Sequence, residues 1–229
     1  MTKVKTSAID PDDPLLPKEN SAIDVDLDVQ EFDGDINDIE CREDADKKVI
    51  SYIEKEIRNS YEYKQYINYL KTELDITKCA LIKNIDIKNM KVSLEFHHHP
   101  ITLYDIVDII ISYKLAHMPN NETKVSMFDV MELVMKEHYA GNVGLVPLTK
   151  TVHEMYHNNA VKIPIDLVYG NYQEFIAKYK DYISPELMDK ITSAESITSD
   201  NIDNYNSDKI NKTVIHYNTT YNKKKDDED

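Results

Sequence analysis

The feature that most constrains the fold of this chain is a pair of histidine-rich segments far apart in the sequence. Five of the eight histidines lie in these segments, residues 94–100 and 145–157. The first segment, LEFHHHP, continues an alternation of apolar and polar residues, which predicts a strand that ends at the histidines. The second, LVPLTKTVHEMYH, predicts a short strand that runs into a helix. The two segments therefore predict a strand end and a helix that face each other with histidines between them.

The spacing of the histidines in the second segment points to a metal site. His153 and His157 are four residues apart, so a helix places them one above the other on the same face. Together with a third imidazole from the strand end, they can supply three nitrogen ligands to one divalent ion. At least one coordination position is then open, as a catalytic site requires. A fourth histidine beside the strand ligand is available as a general base.

This arrangement resembles the HNH nucleases, whose ββα-metal core is a hairpin followed by a helix. The family pattern opens with an acidic or aliphatic residue shortly before a His-His or Asp-His pair, and residues 95–98 (EFHH) are similar to it. The pattern closes with Leu-x-Pro-Leu and His-x-x-x-His, and residues 145–157 are similar to that part. The resemblance covers approximately residues 91–160.

The resemblance implies a role for each histidine. His97, His153 and His157 are expected to bind the metal, and His98 is expected to act as the general base. The implied cofactor is one divalent ion, Zn²⁺, Mn²⁺, Ni²⁺ or Mg²⁺, and ligation by nitrogen alone favours a transition metal over Mg²⁺. The implied activity is that of a DNA endonuclease, which hydrolyses phosphodiester bonds to give a nick or a double-strand break.

Two assignments have alternatives. Three consecutive histidines leave a second frame open, with His98 as the ligand and His99 as the base, although the position of Glu95 favours the first frame. The family also has an asparagine that holds the base-bearing loop through backbone hydrogen bonds, usually nine residues before the first helix histidine. That position is Gly144 here, and Asn142, two residues earlier, is the candidate for this role.

A second hypothesis assigns no catalysis to the chain. Histidine clusters also form structural metal sites, so the alternative to the nuclease is a non-catalytic interaction module, such as a phage accessory protein. Its metal would hold the fold while the acidic N-terminal tail docks on a basic protein partner. The remaining histidines near the motif, His117 and His138, are expected at the surface or at helix ends. The sequence leaves the oligomeric state open.

The net charge of −15 is distributed unevenly. Residues 1–46 hold 15 acidic and 4 basic side chains, and residues 191–229 hold 8 and 5, which leaves 19 against 18 in residues 47–190. The central part is therefore nearly neutral. Proteins that depend on long-range attraction to DNA are usually basic, so the charge neither supports nor excludes a nuclease that contacts few phosphates.

The predicted fold class is α+β: a mostly helical domain built around the ββα-metal core, flanked by disordered acidic tails. The domain spans residues 47–191, with the core at about 91–160 and a helical insertion at 102–140. Residues 1–46 and 192–229 are polar or acidic with few large apolar side chains, which predicts disorder. A further strand is predicted at residues 80–87.

The sequence also predicts where the protein is located. It has no apolar leader segment and no run close to the ~20 apolar residues of a membrane span. Its two cysteines, Cys41 and Cys79, form no metal-binding spacing and are consistent with a reducing compartment. We therefore expect a cytoplasmic protein without a membrane segment, located in the host cytoplasm if a phage encodes it.

Overall fold

A computed structural model of the chain describes residues 38–40, 47–82, 85–90, 92–119, 124–202, 205–206 and 209–210. All of them lie within the unit Asp35–Asp229. The predictions of disorder for residues 1–37, 41–46 and 211–229 lie outside the described residues.

The described residues form an α+β structure that is mostly helical, which confirms the predicted fold class at that level. The elements in chain order are β1 (Asp38–Glu40), α1 (Lys47–Asn59), α2 (Tyr61–Thr72), β2 (Leu94–His98), α3 (Leu103–Ala116), β3 (Lys124–Ser126), α4 (Met127–Tyr139), β4 (Leu145–Thr149), α5 (Lys150–His157), α6 (Tyr172–Tyr179) and α7 (Pro185–Glu195). Two short 3-10 helices, Ile165–Leu167 and Lys180–Tyr182, precede α6 and α7 respectively. Among the described residues, no helix has the length and apolar character needed to cross a bilayer.

The strand pair that positions the histidines is β2 with β4. The two strands are antiparallel, with His97 opposite Val146 and His98 opposite Leu145. β4 continues directly into α5, because the Thr149 side chain caps this helix by accepting a hydrogen bond from the Val152 N–H at 3.3 Å. As a result, α5 packs against the hairpin from which it emerges.

Helix α3 forms the centre of the larger apolar core, as its almost continuous apolar run predicts. Its start is a capping box: Thr102 Oγ1 accepts from the Asp105 N–H at 3.1 Å, and Asp105 Oδ2 accepts from the Thr102 N–H at 3.3 Å. α1 and α4 pack on α3. A second, smaller apolar cluster lies at the β2–β4 hairpin; its buried members are Cys79, Leu94, Val146, Leu148, Val152, Val161, Ile163 and Ile210.

Three features differ from the sequence-based expectations. The strand predicted at residues 80–87 is reduced to an isolated bridge between Lys78 and Asp86. β1 lies inside the predicted N-terminal tail, where it pairs with β3. Helix α7 continues to Glu195, and the buried Asn206 holds the Lys162 backbone through hydrogen bonds of 3.0 and 2.7 Å. Described residues therefore continue beyond the predicted end of the domain at residue 191, and the Asn206 side chain ties one of them to the Lys162 backbone.

Candidate metal centre

Three imidazoles meet between the end of β2 and the exposed face of α5. His97 Nδ1 lies 2.9 Å from His153 Nε2, and His157 Nε2 lies 3.0 Å from the same atom. The ligand atoms of all three residues lie within 4.8 Å of one another. The structure thus brings together the three residues that the sequence predicts as metal ligands, although His97 and His153 are 56 positions apart in the chain.

A carboxylate behind this cluster fixes the orientation of its central ring. Glu95 Oε2 accepts a hydrogen bond from His153 Nδ1–H at 2.6 Å, which leaves His153 Nε2 as a lone-pair donor directed at the other two nitrogens. A carboxylate behind a ligating histidine is common in metalloproteins. Tetrahedral ligation with bonds of 2.0–2.1 Å places ligand nitrogens about 3.3 Å apart, so the His97–His153 and His157–His153 distances of 2.9 and 3.0 Å are within a few tenths of an ångström of that spacing. The donor set fits one divalent transition-metal ion.

Burial keeps part of this cluster uncharged. His97 is only 9% exposed, and burial lowers its pKa to about 3, with a further contribution from repulsion by His153. A neutral imidazole has the lone pair that a metal requires. His157 is exposed, so the cluster opens to solvent on the side of α5.

His98 points to the other face of β2, because successive residues of a strand alternate. It is 3% exposed, its ring stacks on Tyr63 at 6.3 Å between centroids, and its Nε2 lies 3.0 Å from His138 Nε2. Its Nδ1 is buried without a hydrogen-bond partner, and burial holds its pKa well below the usual value. The contacts of His98 therefore do not match the general-base role that the family pattern assigns to it.

His138 lies at a helix end as expected, in the last turn of α4, but it is buried and not at the surface. His117 lies at the end of α3 and is exposed, as expected. His138 is 1% exposed and donates from Nδ1 to the Val134 carbonyl at 2.7 Å. The sequence contained a usable indication, since residues 127, 130, 134 and 138 share one face of α4 and the first three are apolar. His117 is exposed and caps the end of α3.

The side chain of His99 lies on the same side of the chain as that of His97, which precedes it by two residues. It is 5% exposed, its ring lies 6.1 Å from that of Tyr156, and its Nε2 is buried without a partner. Together with His157 it lines a cavity of about 400 Å³. Because side chains alternate along a strand, His97 and His99 lie on the same side. Neither of the two predicted ligand and base pairs, His97 with His98 or His98 with His99, has this arrangement.

Comparison with known proteins places the chain in a family. Residues 1–227 match the model of the bacteriophage G278-like virion protein family. The chain belongs to this family. Membership indicates a phage origin, and the family description does not mention an endonuclease. No curated protein and no solved structure matches the chain.

The side chain of Asn142, the candidate for the family's asparagine, contacts a buried carboxylate. Its Nδ2–H donates to Glu137 Oε2 at 2.8 Å, while Tyr179 and Lys178 donate to the other carboxylate oxygen. Burial acts to raise the pKa of Glu137, but hydrogen bonds from these three side chains outweigh it and the pKa is lowered. Asn142 therefore anchors a buried carboxylate, and its side-chain contacts do not reach the histidine-bearing loop.

The loop that carries His99 is held instead by Gly144, the position where the HNH pattern has its asparagine. The His99 N–H donates to the Gly144 carbonyl at 3.0 Å. A Cβ atom at Gly144 would lie 2.0 Å from the His99 carbonyl oxygen. Close backbone contact thus occupies the space that an asparagine side chain would need.

Proposed function

We propose that this virion protein is a metal-dependent phosphodiesterase that acts on nucleic acid, with the metal held by His97, His153 and His157. The observation that carries the proposal is the convergence of their three nitrogens between a hairpin and a helix, open to solvent at His157. Three protein ligands with an open position are typical of catalytic metal sites, whereas structural sites usually have four. The pairing of β2 with β4 and the packing of α5 on both strands support this proposal.

Each group of the proposed site has a separate role in hydrolysis. A bound divalent ion would polarise a phosphoryl oxygen and offset the charge that develops during hydrolysis. Glu95 keeps His153 in the tautomer that presents Nε2. His99 replaces His98 as the proposed base: it shares the face of His97, and burial lowers its pKa to about 4, so it is neutral at pH 7 and able to accept a proton from water.

Metal analysis combined with plasmid nicking tests the proposal. The purified chain should bind about one equivalent of Mn²⁺, Ni²⁺ or Zn²⁺ and nick a supercoiled plasmid. His153→Ala should abolish both. His99→Ala should retain the metal while nicking falls by about 10²–10⁴-fold.

His117→Ala is the matched control, because His117 is exposed at the end of α3 and contacts none of the three ligands. It should behave like the parent. A parent protein that binds metal but cuts neither plasmid nor single-stranded DNA under Mn²⁺, Ni²⁺, Zn²⁺ and Mg²⁺ would overturn the nuclease proposal.

The family description favours a second candidate, a non-catalytic component of the phage particle in which the same three histidines hold a structural metal. Chelation would then lower the melting temperature of a protein that has no hydrolytic activity. Its partners would be other proteins of the particle, with the acidic N-terminal residues as a docking segment. Detection of the chain in purified particles, as opposed to the host cytoplasm, would support either role within the virion.

A further inference from the structure

A cavity of about 400 Å³ adjoins the proposed metal centre. Its walls come from His99 just after β2, the last turn of α5, residues 159 and 161–163, and the end of α7 with Ile197 beyond it. His157, the exposed member of the metal cluster, and His99, the proposed base, both line it. A molecule in this cavity would therefore lie directly beside the reacting groups.

The lining has the chemistry of a site for a planar, weakly polar group. Tyr156 contributes an aromatic ring, and the remaining wall combines apolar side chains with polar ones, the apolar members being Val161, Ile163, Ala194 and Ile197. The buried Nε2 of His99 has no hydrogen-bond partner within the protein. Small apolar pockets with a few converging polar groups are typical of ligand sites, and this volume lies in their usual range of about 300–1,000 Å³.

The charges of the residues that line the cavity are compatible with a ligand that carries negatively charged phosphates. None of the described residues that line the cavity is acidic, although the whole chain carries 42 Asp and Glu residues. Lys162 adds an exposed positive charge at its wall. A polyanion can therefore approach this face without meeting a carboxylate in the cavity itself.

We propose that the cavity binds one unstacked nucleobase next to the scissile phosphate, so that the preferred substrate is a single strand of nucleic acid. This inference rests on the proposed phosphodiesterase function. A base in a duplex is paired and stacked on both sides, so it enters a pocket only after it leaves the stack, at a cost in free energy. A single strand largely avoids this cost and also gains from stacking on an aromatic ring.

Binding measurements on the metal-loaded, full-length chain test the inference. Fluorescence anisotropy would compare a labelled twelve-nucleotide strand, its duplex, and an abasic strand of the same length that retains the phosphates. The single strand should bind at least about tenfold more tightly than the duplex or the abasic strand, as the loss of one base–aromatic contact predicts. Equal affinity for the three ligands would overturn the inference.

Two variants locate the preference in the cavity. Ala194→Phe on α7 fills the cavity, and it should abolish the preference for single strands while the metal content stays unchanged. Tyr156→Leu should weaken single-strand binding about tenfold, whereas Tyr156→Phe, which retains the ring, should not. A preference that survives Ala194→Phe would place the base elsewhere and contradict the inference.

The experiments distinguish failure of the base pocket from failure of the proposed phosphodiesterase function. If the parent hydrolyses duplex and single strand equally and binds them equally, the phosphodiesterase stands and the base pocket fails. If the parent hydrolyses nothing but shows the preference and loses it in Ala194→Phe, the base pocket stands without catalysis.

Discussion

At the scale of single residues, Glu95 determines which nitrogen of His153 faces the metal cluster. Its carboxylate accepts the Nδ1 proton at 2.6 Å, so the ring cannot turn its protonated side towards the cluster without losing this hydrogen bond. Such orienting partners behind a ligand typically contribute a factor of about 10–100 to metal affinity. The carboxylate also makes the Nε2 lone pair of His153 a stronger electron-pair donor to a metal.

Glu95→Gln should therefore weaken binding of Zn²⁺ or Ni²⁺ by about 10–100-fold, measured by competition with a chromophoric chelator. Glu154→Gln is the control, since Glu154 is exposed on α5 beside His153. An unchanged affinity in Glu95→Gln would show that His153 either contributes no ligand or needs no support.

The buried histidine pair behind β2 predicts a dependence of stability on pH. Burial lowers the pKa of His138 to about 4, whereas an unfolded histidine titrates near 6.5. The unfolded chain binds more protons between these values, so this residue's contribution to the free energy of unfolding is fully present above pH ~6.5 and is lost as the pH falls towards 4. The loss is on the order of 3 kcal/mol.

Urea denaturation at pH 7.5, 5.5 and 4.5 would measure this effect. His138→Gln removes the titrating group, so its stability should fall less between pH 7.5 and 4.5 than that of the parent, whatever its stability at pH 7.5. Aspartate and glutamate residues titrate in both proteins and cancel in the comparison. Parallel pH profiles would contradict the assignment.

At the scale of elements, the hairpin of β2 and β4 depends on a close approach of two backbones. The N–H and carbonyl of His99 both contact Gly144, and a Cβ atom there would also lie 2.9 Å from Val168 Cγ1. Because backbone atoms cannot move aside as the end of a side chain can, any larger residue must displace the loop that carries His99.

Gly144→Ala should therefore destabilise the protein by about 1–3 kcal/mol and also reduce hydrolysis by shifting His99. Gly141→Ala is the comparison: its Cβ would meet no atom within 4 Å, and its positive φ of 73° alone predicts a cost of about 1 kcal/mol. Denaturation and nicking assays would distinguish them. Equal losses of activity would argue against a special role for the Gly144 contact.

The elements also show which parts of the fold the sequence could predict. The apolar alternation before His97, the capping box of α3 and the four-residue spacing on α5 are local patterns, and each predicted its element. β1 has three residues and pairs with β3, more than eighty positions away, so no local pattern identifies it. At residues 80–87 an alternation predicted a strand, and the described residues of this segment contribute only an isolated bridge, from Asp86 to Lys78.

In the candidate site, too, the parts that follow from local patterns could be predicted, and those that depend on tertiary packing could not. The convergence of His97, His153 and His157 follows from one strand end and one helix face. The position of His99 follows from the strand period, but the family pattern favours the adjacent residue as base and so pointed to His98. The apolar face of α4 indicates that His138 is buried, but its packing against Tyr63 and Tyr66 cannot be predicted from a single sequence.

At the scale of the whole molecule, the acidic N-terminal residues oppose any binding of nucleic acid. Residues 1–34 carry 9 acidic and 3 basic side chains, so their removal changes the net charge from −15 to −9. Repulsion between a polyanion and a negatively charged protein slows association and weakens binding, and salt screens it over about 10 Å at 0.1 M. β1 should be kept in such a truncation, because it pairs with β3.

A chain that starts at Asp35 should therefore bind single-stranded DNA more tightly than the full chain at 20 mM salt, and the difference should shrink at 300 mM as screening increases. Its free energy of unfolding should match that of the full chain. A chain that starts at Asp46 loses 14 acidic and 4 basic side chains, which changes the net charge from −15 to −5. It also lacks β1, so it should be less stable by about 1 kcal/mol or more through the lost strand hydrogen bonds. Anisotropy titrations at both salt concentrations and urea denaturation measure the two effects separately. An affinity that is equal in the full and Asp35 chains at low salt would show that the acidic residues do not restrain binding.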